Sequence, residues 1–173
     1  VRLQLTRRTR ELALFDLAID GKLRGCDLVA LKVRDVCHGH QVASRAIVMQ
    51  RKTGRPVHFE ISADTRCAVE RWIEREELQP DDFLFPSRQR GGDHLSTRQY
   101  ARIVSGWIEE AGLERGRYGT HTMRRTKASL IYRRTKSLRA VQLLLGHARL
   151  ESTVRYLGVE IDDALELAEQ TEL

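Results

Sequence analysis

No apolar run in this 173-residue chain approaches the roughly 20 residues that a membrane-spanning helix needs. No signal-peptide pattern opens it, so the expected setting is the cytoplasm. Cysteine is scarce and odd in number. Cys26, Cys37 and Cys67 lack the spacing of a disulfide framework, which points to free thiols in a reducing compartment. The run Cys37-His38-Gly39-His40 invites a zinc reading, but no second ligand pair follows at finger-like spacing. Alternate residues on a turn rarely converge on one metal, so the run reads as a polar turn and no metal is assigned. His58 and His94 stand alone in strand-like and loop-like contexts and receive no role. Also missing are a phosphate-loop glycine pattern and a carboxylate cluster of the kind that holds catalytic metals. Internal repeats, linkers and low-complexity tracts are absent too, which leaves one domain over residues 1–173.

What is present describes a soluble globular protein. Apolar residues make up 41% and charged residues 31%, and the length suffices for a proper core. The net charge of +6 permits a polyanionic partner, but its distribution says more. From Arg115 to Arg139 there are nine Lys or Arg residues and no acid; from Glu160 to Glu172 there are six acids and no Lys or Arg. The basic block, with Arg115, Arg117, Arg125 and Lys127 among it, reads as a phosphate-binding surface.

Helical and strand-like stretches are legible along the chain. Thr6 is placed to cap a first helix through Leu12, Ala13, Leu17 and Ala18, with Gly21 closing it. A short helix holds Leu28, Val29 and Leu31. Ala43–Gln50 and Arg55–Ile61 favour strands, the second alternating Val57, Phe59 and Ile61, and Lys52-Thr53-Gly54 reads as the hairpin turn between them. Ser62 begins a helix with Ala68, Val69, Trp72 and Ile73 inward. Pro80 and Pro86 bracket a loop containing Phe83-Leu84-Phe85. Ser96-Thr97-Arg98-Gln99 is a capping box opening a helix with Ile103, Val104, Trp107 and Ile108 apolar, ended by Gly112. Both tryptophans fall on apolar helical stripes and are expected in the core. Helices are expected from Thr120 to about Arg133, over Ser137–Leu145 with Gly146 as stop, and over Ser152–Leu157 and Ile161–Ala168. The sum is a mainly α fold with one small antiparallel sheet.

The last third carries the chemistry: His121-Thr122-Met123-Arg124, then Leu145-Gly146-His147, then Tyr156. A phosphodiester must be gripped at its non-bridging oxygens, attacked by a nucleophile and relieved of an alkoxide. His121 and Arg124 are three apart and share one helix face. Tyr156 offers a phenol, a competent nucleophile once its proton is withdrawn. The first half supplies further pieces, Arg24 followed three residues later by Asp27, and Lys52 on its turn.

This constellation resembles the tyrosine recombinases, the phage-integrase family, from about Leu12 to the end. The resemblance implies the fold of that family's catalytic domain and makes Arg24, Lys52, His121, Arg124, His147 and Tyr156 the six catalytic residues. In those roles Arg24 and Arg124 clamp the scissile phosphate in both charge and planar geometry. His121 and His147 donate to the same oxygens, and one helps to deprotonate Tyr156. Lys52 is the general acid for the departing 5′-hydroxyl. The link formed is a 3′-phosphotyrosyl bond, which conserves bond energy so that rejoining needs no ATP; the arginines supply the charge a metal would, so no metal or other cofactor is expected. Asp27 either orients Arg24 or a histidine, or is a helix-surface acid.

The implied activity is cleavage and rejoining of double-stranded DNA by a bacterial or phage-encoded, nucleoid-associated recombinase. The rival is an integrase-derived DNA-binding module without catalysis. Most family members place a core-binding domain before the catalytic one. This chain begins where the catalytic domain begins, as a trimmed fragment or a short branch. Beyond Tyr156, the residues Ile161, Ala164, Leu165 and Ala168 share a helical stripe. In the family that segment commonly docks on a neighbouring protomer of a tetrameric synapse, and docking in trans is expected here, with packing on its own domain as the alternative.

Overall fold

The computed structural model describes residues 7–39, 41–88, 92–158 and 169. Helix α1 (Thr9–Gly21) turns Leu12, Ala13, Leu14, Leu17 and Ala18 inward. Its boundaries differ from the expected ones. Arg8 stands at the amino-terminal cap, while Thr6 lies outside the described residues. Gly21 is still helical, and Lys22 takes the left-handed capping conformation at φ 50°. That conformation costs a non-glycine residue roughly 1 kcal/mol. Lys22 holds it because its fully buried ammonium bonds the Asp20 carbonyl at 2.6 Å and the Glu60 carboxylate at 2.9 and 3.0 Å.

Two single-turn helices follow, α2 (Gly25–Leu28) and α3 (Val33–Val36). Strands β1 (Cys37–His38) and β2 (Gln41–Val42) then pair antiparallel around the expected polar turn, adding a second minimal sheet to the one anticipated. The buried Val42, whose amide bonds Glu70 at 3.2 Å, draws that turn onto the body of the fold. His40 of the histidine-cysteine run lies outside the described residues. The three cysteines are free thiols.

Strands β3 (Arg45–Met49) and β4 (Pro56–Glu60) form the expected hairpin. Its register sets Ala46 opposite Phe59 and Val48 opposite Val57, so the period-two pattern puts these four on the core face. Helix α4 (Ala63–Arg75) is capped by Ser62, whose hydroxyl accepts from the Thr65 amide. Helix α5 (Thr97–Glu110) starts with the capping box read from the sequence. Ser96 Oγ accepts from Gln99 N at 3.1 Å, and Gln99 Oε1 accepts from Ser96 N at 2.9 Å. Both tryptophans are buried with their indole N–H satisfied: Trp72 bonds the Leu84 carbonyl and Trp107 bonds Glu11, each at 2.7 Å.

Helices α6 (Thr120–Thr135), α7 (Leu138–Leu145) and α8 (Leu150–Leu157) complete the described chain. They divide the interior. A large cluster runs from Leu12 to Met123 and holds α1, α4, α5 and the hairpin together. A smaller one gathers Ala128, Tyr132, Val141, Leu145 and Leu157, with Tyr156 packed against it. Helix α6 spans both, so a side chain midway along it lies at their seam. The expected helix Ile161–Ala168 and its docking surface lie outside the described residues. Among the described residues no helix is long and apolar enough to cross a membrane.

Candidate active site

The seam between the two clusters is occupied by Arg124. Met123 before it belongs to the large cluster and Ala128 after it to the small one. Arg124 is 4% exposed and donates Nη2 to the carbonyl of Leu145, the last residue of α7, at 2.7 Å. Its Nη1 is buried and has no partner, and the Nη1 of Arg24 is in the same condition. A buried guanidinium donor without an acceptor is costly unless something completes it, and a phosphate oxygen is the acceptor its fork fits. Burial lowers the pKa of Arg124, and the charge of Arg24 lowers it further while Tyr156 and Asp27 raise it. The backbone of Arg24 caps α2, its carbonyl accepting from the Asp27 and Leu28 amides at 2.9 Å.

Gly146 turns the chain out of α7 and presents His147. Its φ of +64° suits glycine, and a Cβ there would stand 2.4 Å from Val57 Cγ2 and 2.9 Å from Gln50 Nε2. The backbone of His147 is pinned on both sides, its amide donating to Gln142 O and its carbonyl accepting from Gln142 Nε2, each at 3.1 Å. The ring Nδ1 is 3.0 Å from the hydroxyl of the fully buried Thr153. Burial first, and then the charges of Arg124 and Arg24, bring the imidazole down to about 4. At neutral pH it is therefore uncharged, with one donor and one acceptor nitrogen. If the Thr153 hydroxyl donates to Nδ1 the proton is on Nε2, and if it accepts the proton is on Nδ1.

Tyr156, on α8, stands edge-on to the His147 ring, with centroids 5.4 Å apart and planes at 79°. The Arg124 guanidinium lies 6.0 Å from the centre of its ring. Its hydroxyl points at the carbonyl of His121 at 3.4 Å, a long contact. Burial raises the pKa of the phenol, and Arg124, Arg125 and Arg24 pull it back down. The other tyrosines are placed differently: Tyr100 and Tyr132 are buried, and Tyr118 is on the surface. Arg24, Arg124, His147 and Tyr156 thus share one electrostatic neighbourhood. His121 contributes its carbonyl to it, while its imidazole is exposed.

Lys52 makes no hydrogen bond or ion pair with the other five. It sits on the exposed turn of the hairpin, and among the described residues its ammonium has no hydrogen bond or ion pair. Asp27 accounts for the position of that turn. It is 2% exposed rather than a helix-surface acid, and its Oδ1 accepts from the amide of Arg51 at 2.9 Å. It therefore ties the Arg24 segment to the residue before Lys52, instead of orienting Arg24 or a histidine directly. Its Oδ2 is buried without a partner.

The basic residues expected to meet DNA separate into different environments. Arg115 and Arg117 are exposed and paired with Glu109 and Glu114. Arg125 bonds the Leu157 carbonyl at 2.7 Å and so fixes the end of the helix bearing Tyr156. Lys127 has another job altogether. Its ammonium bonds Asp20 at 2.6 Å and Glu60 at 2.8 Å, so its charge is neutralised inside the fold and is not free for phosphate.

Residues 3–161 match the phage integrase family. The chain belongs to that family. Probable integrase/recombinase YoeC of Bacillus subtilis (strain 168) is 28% identical over 158 residues, covering 91% of this chain and 82% of YoeC. Tyrosine recombinase XerC of Actinobacillus pleuropneumoniae serotype 7 (strain AP76) is 30% identical over 152 residues, which is 87% of this chain and 48% of that protein. The chain thus spans about half the length of this XerC relative. Among solved structures, XerA recombinase superposes with a TM-score of 0.79 at 22% identity, covering 98% of this chain and 60% of that one. XerH recombinase bound to difH substrate gives 0.73 at 24% identity, over 93% and 46%. The fold is that of a tyrosine recombinase catalytic domain.

Two residues of this phage integrase family member bear on the site without having been singled out from the sequence. Thr153 has no local signal, since it meets His147 only through the turn between α7 and α8. Gln50 had one. It continues the inward face of Ala46 and Val48, and a polar residue at an apolar position calls for buried partners.

Proposed function

We propose that this chain cleaves and rejoins DNA strands as a site-specific recombinase or integrase. Arg24 and Arg124, each with an open buried donor beside the His147–Tyr156 pair, carry this reading. A phosphodiester set between the two guanidiniums completes both. Their hold strengthens as charge accumulates on the pentavalent phosphorus, which makes the clamp catalytic and not merely adhesive. The neutral His147 donates from one nitrogen to the same phosphate. Tyr156 Oη attacks phosphorus, its proton passing to a neighbouring base, and the bond to the 5′ oxygen breaks. Lys52 gives that oxygen a proton. The phosphodiester energy is kept in the 3′-phosphotyrosyl link, so rejoining needs no nucleotide cofactor.

The partner is double-stranded DNA, gripped from one side by this domain. Self-association on DNA into a tetrameric synapse, with residues beyond Gly158 exchanged between protomers, belongs to the same proposal, as does a cytoplasmic setting. A nicked suicide duplex tests the chemistry. Incubation followed by denaturing electrophoresis should give a covalent protein–DNA band that disappears in Tyr156→Phe, while that variant folds and binds DNA as before. A band that persists would move the nucleophile elsewhere. No band from the parent would leave a DNA-binding module without catalysis.

A further inference from the structure

Three separate segments must be held in register for the proposed chemistry: the Lys52 turn, the Arg124 helix and the Gly146-His147 junction. One buried side chain bonds the turn and the carbonyl just before Gly146, and shares that carbonyl with Arg124. Gln50 is 1% exposed and closes the hairpin. Its amide donates to Arg55 O at 2.9 Å, and its carbonyl accepts from Thr53 N at 3.2 Å and Gly54 N at 2.8 Å, so its backbone frames the turn on which Lys52 sits. Its side-chain Oε1 accepts from the Thr53 hydroxyl at 2.8 Å, across Lys52. The Nε2 donates to the carbonyl of Leu145 at 3.2 Å.

That carbonyl is the acceptor Arg124 also uses, at 2.7 Å. The two donors meet on one oxygen at the carboxy-terminal end of α7, one residue before the left-handed Gly146 that presents His147. The close approach of Gly146 to Gln50 Nε2 and Val57 shows that the hairpin and this helix end are fitted to each other. Asp27 adds a second tether through the Arg51 amide. The Lys52 ammonium itself has no hydrogen bond or ion pair among the described residues, so its position is set by the turn alone.

We propose that Gln50 is a positioning residue for the general acid. Through the shared Leu145 carbonyl it locks the Lys52 turn to the Arg124 clamp, so that the proton donor and the phosphate grip arrive in one geometry. This rests on the strand-cleavage reading above. It goes further in assigning the placement of Lys52 to a side chain that touches neither DNA nor any reacting atom.

The test separates leaving-group protonation from the rest of the reaction. A DNA substrate with sulfur replacing the bridging 5′ oxygen has a leaving group that needs no proton. Gln50→Met keeps the length and burial of the side chain and removes both of its hydrogen bonds. Cleavage of ordinary DNA should fall about a hundredfold, the scale of a displacement near 1 Å. The sulfur substrate should restore it, as it should for Lys52→Ala. Thr53→Val, on the exposed turn, should show a smaller loss with the same restoration, and it decides the matter if Gln50→Met does not fold. Equal losses on the two substrates would show Gln50 to be structural only, and parent-like rates on both would remove it from the site. Either result overturns the proposal while leaving parent cleavage intact. Absence of cleavage by the parent would overturn the underlying reading instead.

Discussion

Arg24 and Arg124 each keep a buried guanidinium nitrogen without a protein acceptor, and the demand this places on them is geometric as well as electrostatic. Lysine would preserve the charge and lose the planar fork. Arg24→Lys or Arg124→Lys should lower single-turnover cleavage about 100- to 1,000-fold, with a smaller effect on DNA affinity. Rates equal to the parent in either variant would contradict the clamp. The same two cations make His147 a reporter of phosphate binding. Burial and their charges bring its imidazole down to about 4. A phosphodiester placed among the three groups offsets that repulsion, so the pKa should rise by roughly one pH unit or more. NMR titration of the His147 ring in Tyr156→Phe, with and without duplex, checks this. An unchanged titration on saturating DNA would place the phosphate away from His147.

At the scale of elements, the site is a meeting of helix ends and one hairpin turn, and this explains what the sequence could and could not show. Short-range patterns were legible. The Ser96–Gln99 capping box, the alternation of Val57 and Phe59, and the Lys52 turn all appear where the pattern puts them. Helix ends set by distant partners were not. Lys22 caps α1 because Glu60, from a different element, neutralises its buried ammonium, and no local signal announces that. Lys127 looks like part of a basic surface until Asp20 and Glu60 are seen against it. Asp27 reads as a partner for Arg24, yet it holds the Arg51 amide from the next layer. Gly146 was legible as a helix stop, but the contact with Gln50 and Val57 makes it more than that. Gly146→Ala would add both left-handed strain and a clash, and should destabilise the fold by about 1–3 kcal/mol. Cleavage should fall along with it, since the hairpin and His147 move apart. Denaturant melts of the variant measure the first effect. A melting midpoint equal to the parent's would show that the hairpin does not rest on this helix end.

Across the whole molecule, Asp20, Glu60, Lys22 and Lys127 tie α1, β4 and α6 together behind the active site. Asp20 is buried, yet bonds from Lys127, Thr65 and Ser62 outweigh the desolvation and hold its carboxylate down to about 2. Glu60 is lowered too, its bonds from Lys127 and Lys22 outweighing its own desolvation. Both are carboxylates whose folded pKa lies below the unfolded one. The stability they contribute is therefore complete above the unfolded value near 4 and is lost as pH falls through the folded one. For Asp20 the window runs from about 4 to about 2 and is worth on the order of 2 kcal/mol. Asp20→Asn mimics the protonated group. It should be less stable than the parent by that amount at pH 7, and the difference should shrink as pH falls toward 2 and vanish below it. Because the network lies one turn along α6 from Arg124, its loss in acid should loosen the clamp as well as the fold. A parallel pair of stability curves, separated by the same amount at every pH, would show that the Asp20 charge is not what binds these elements together.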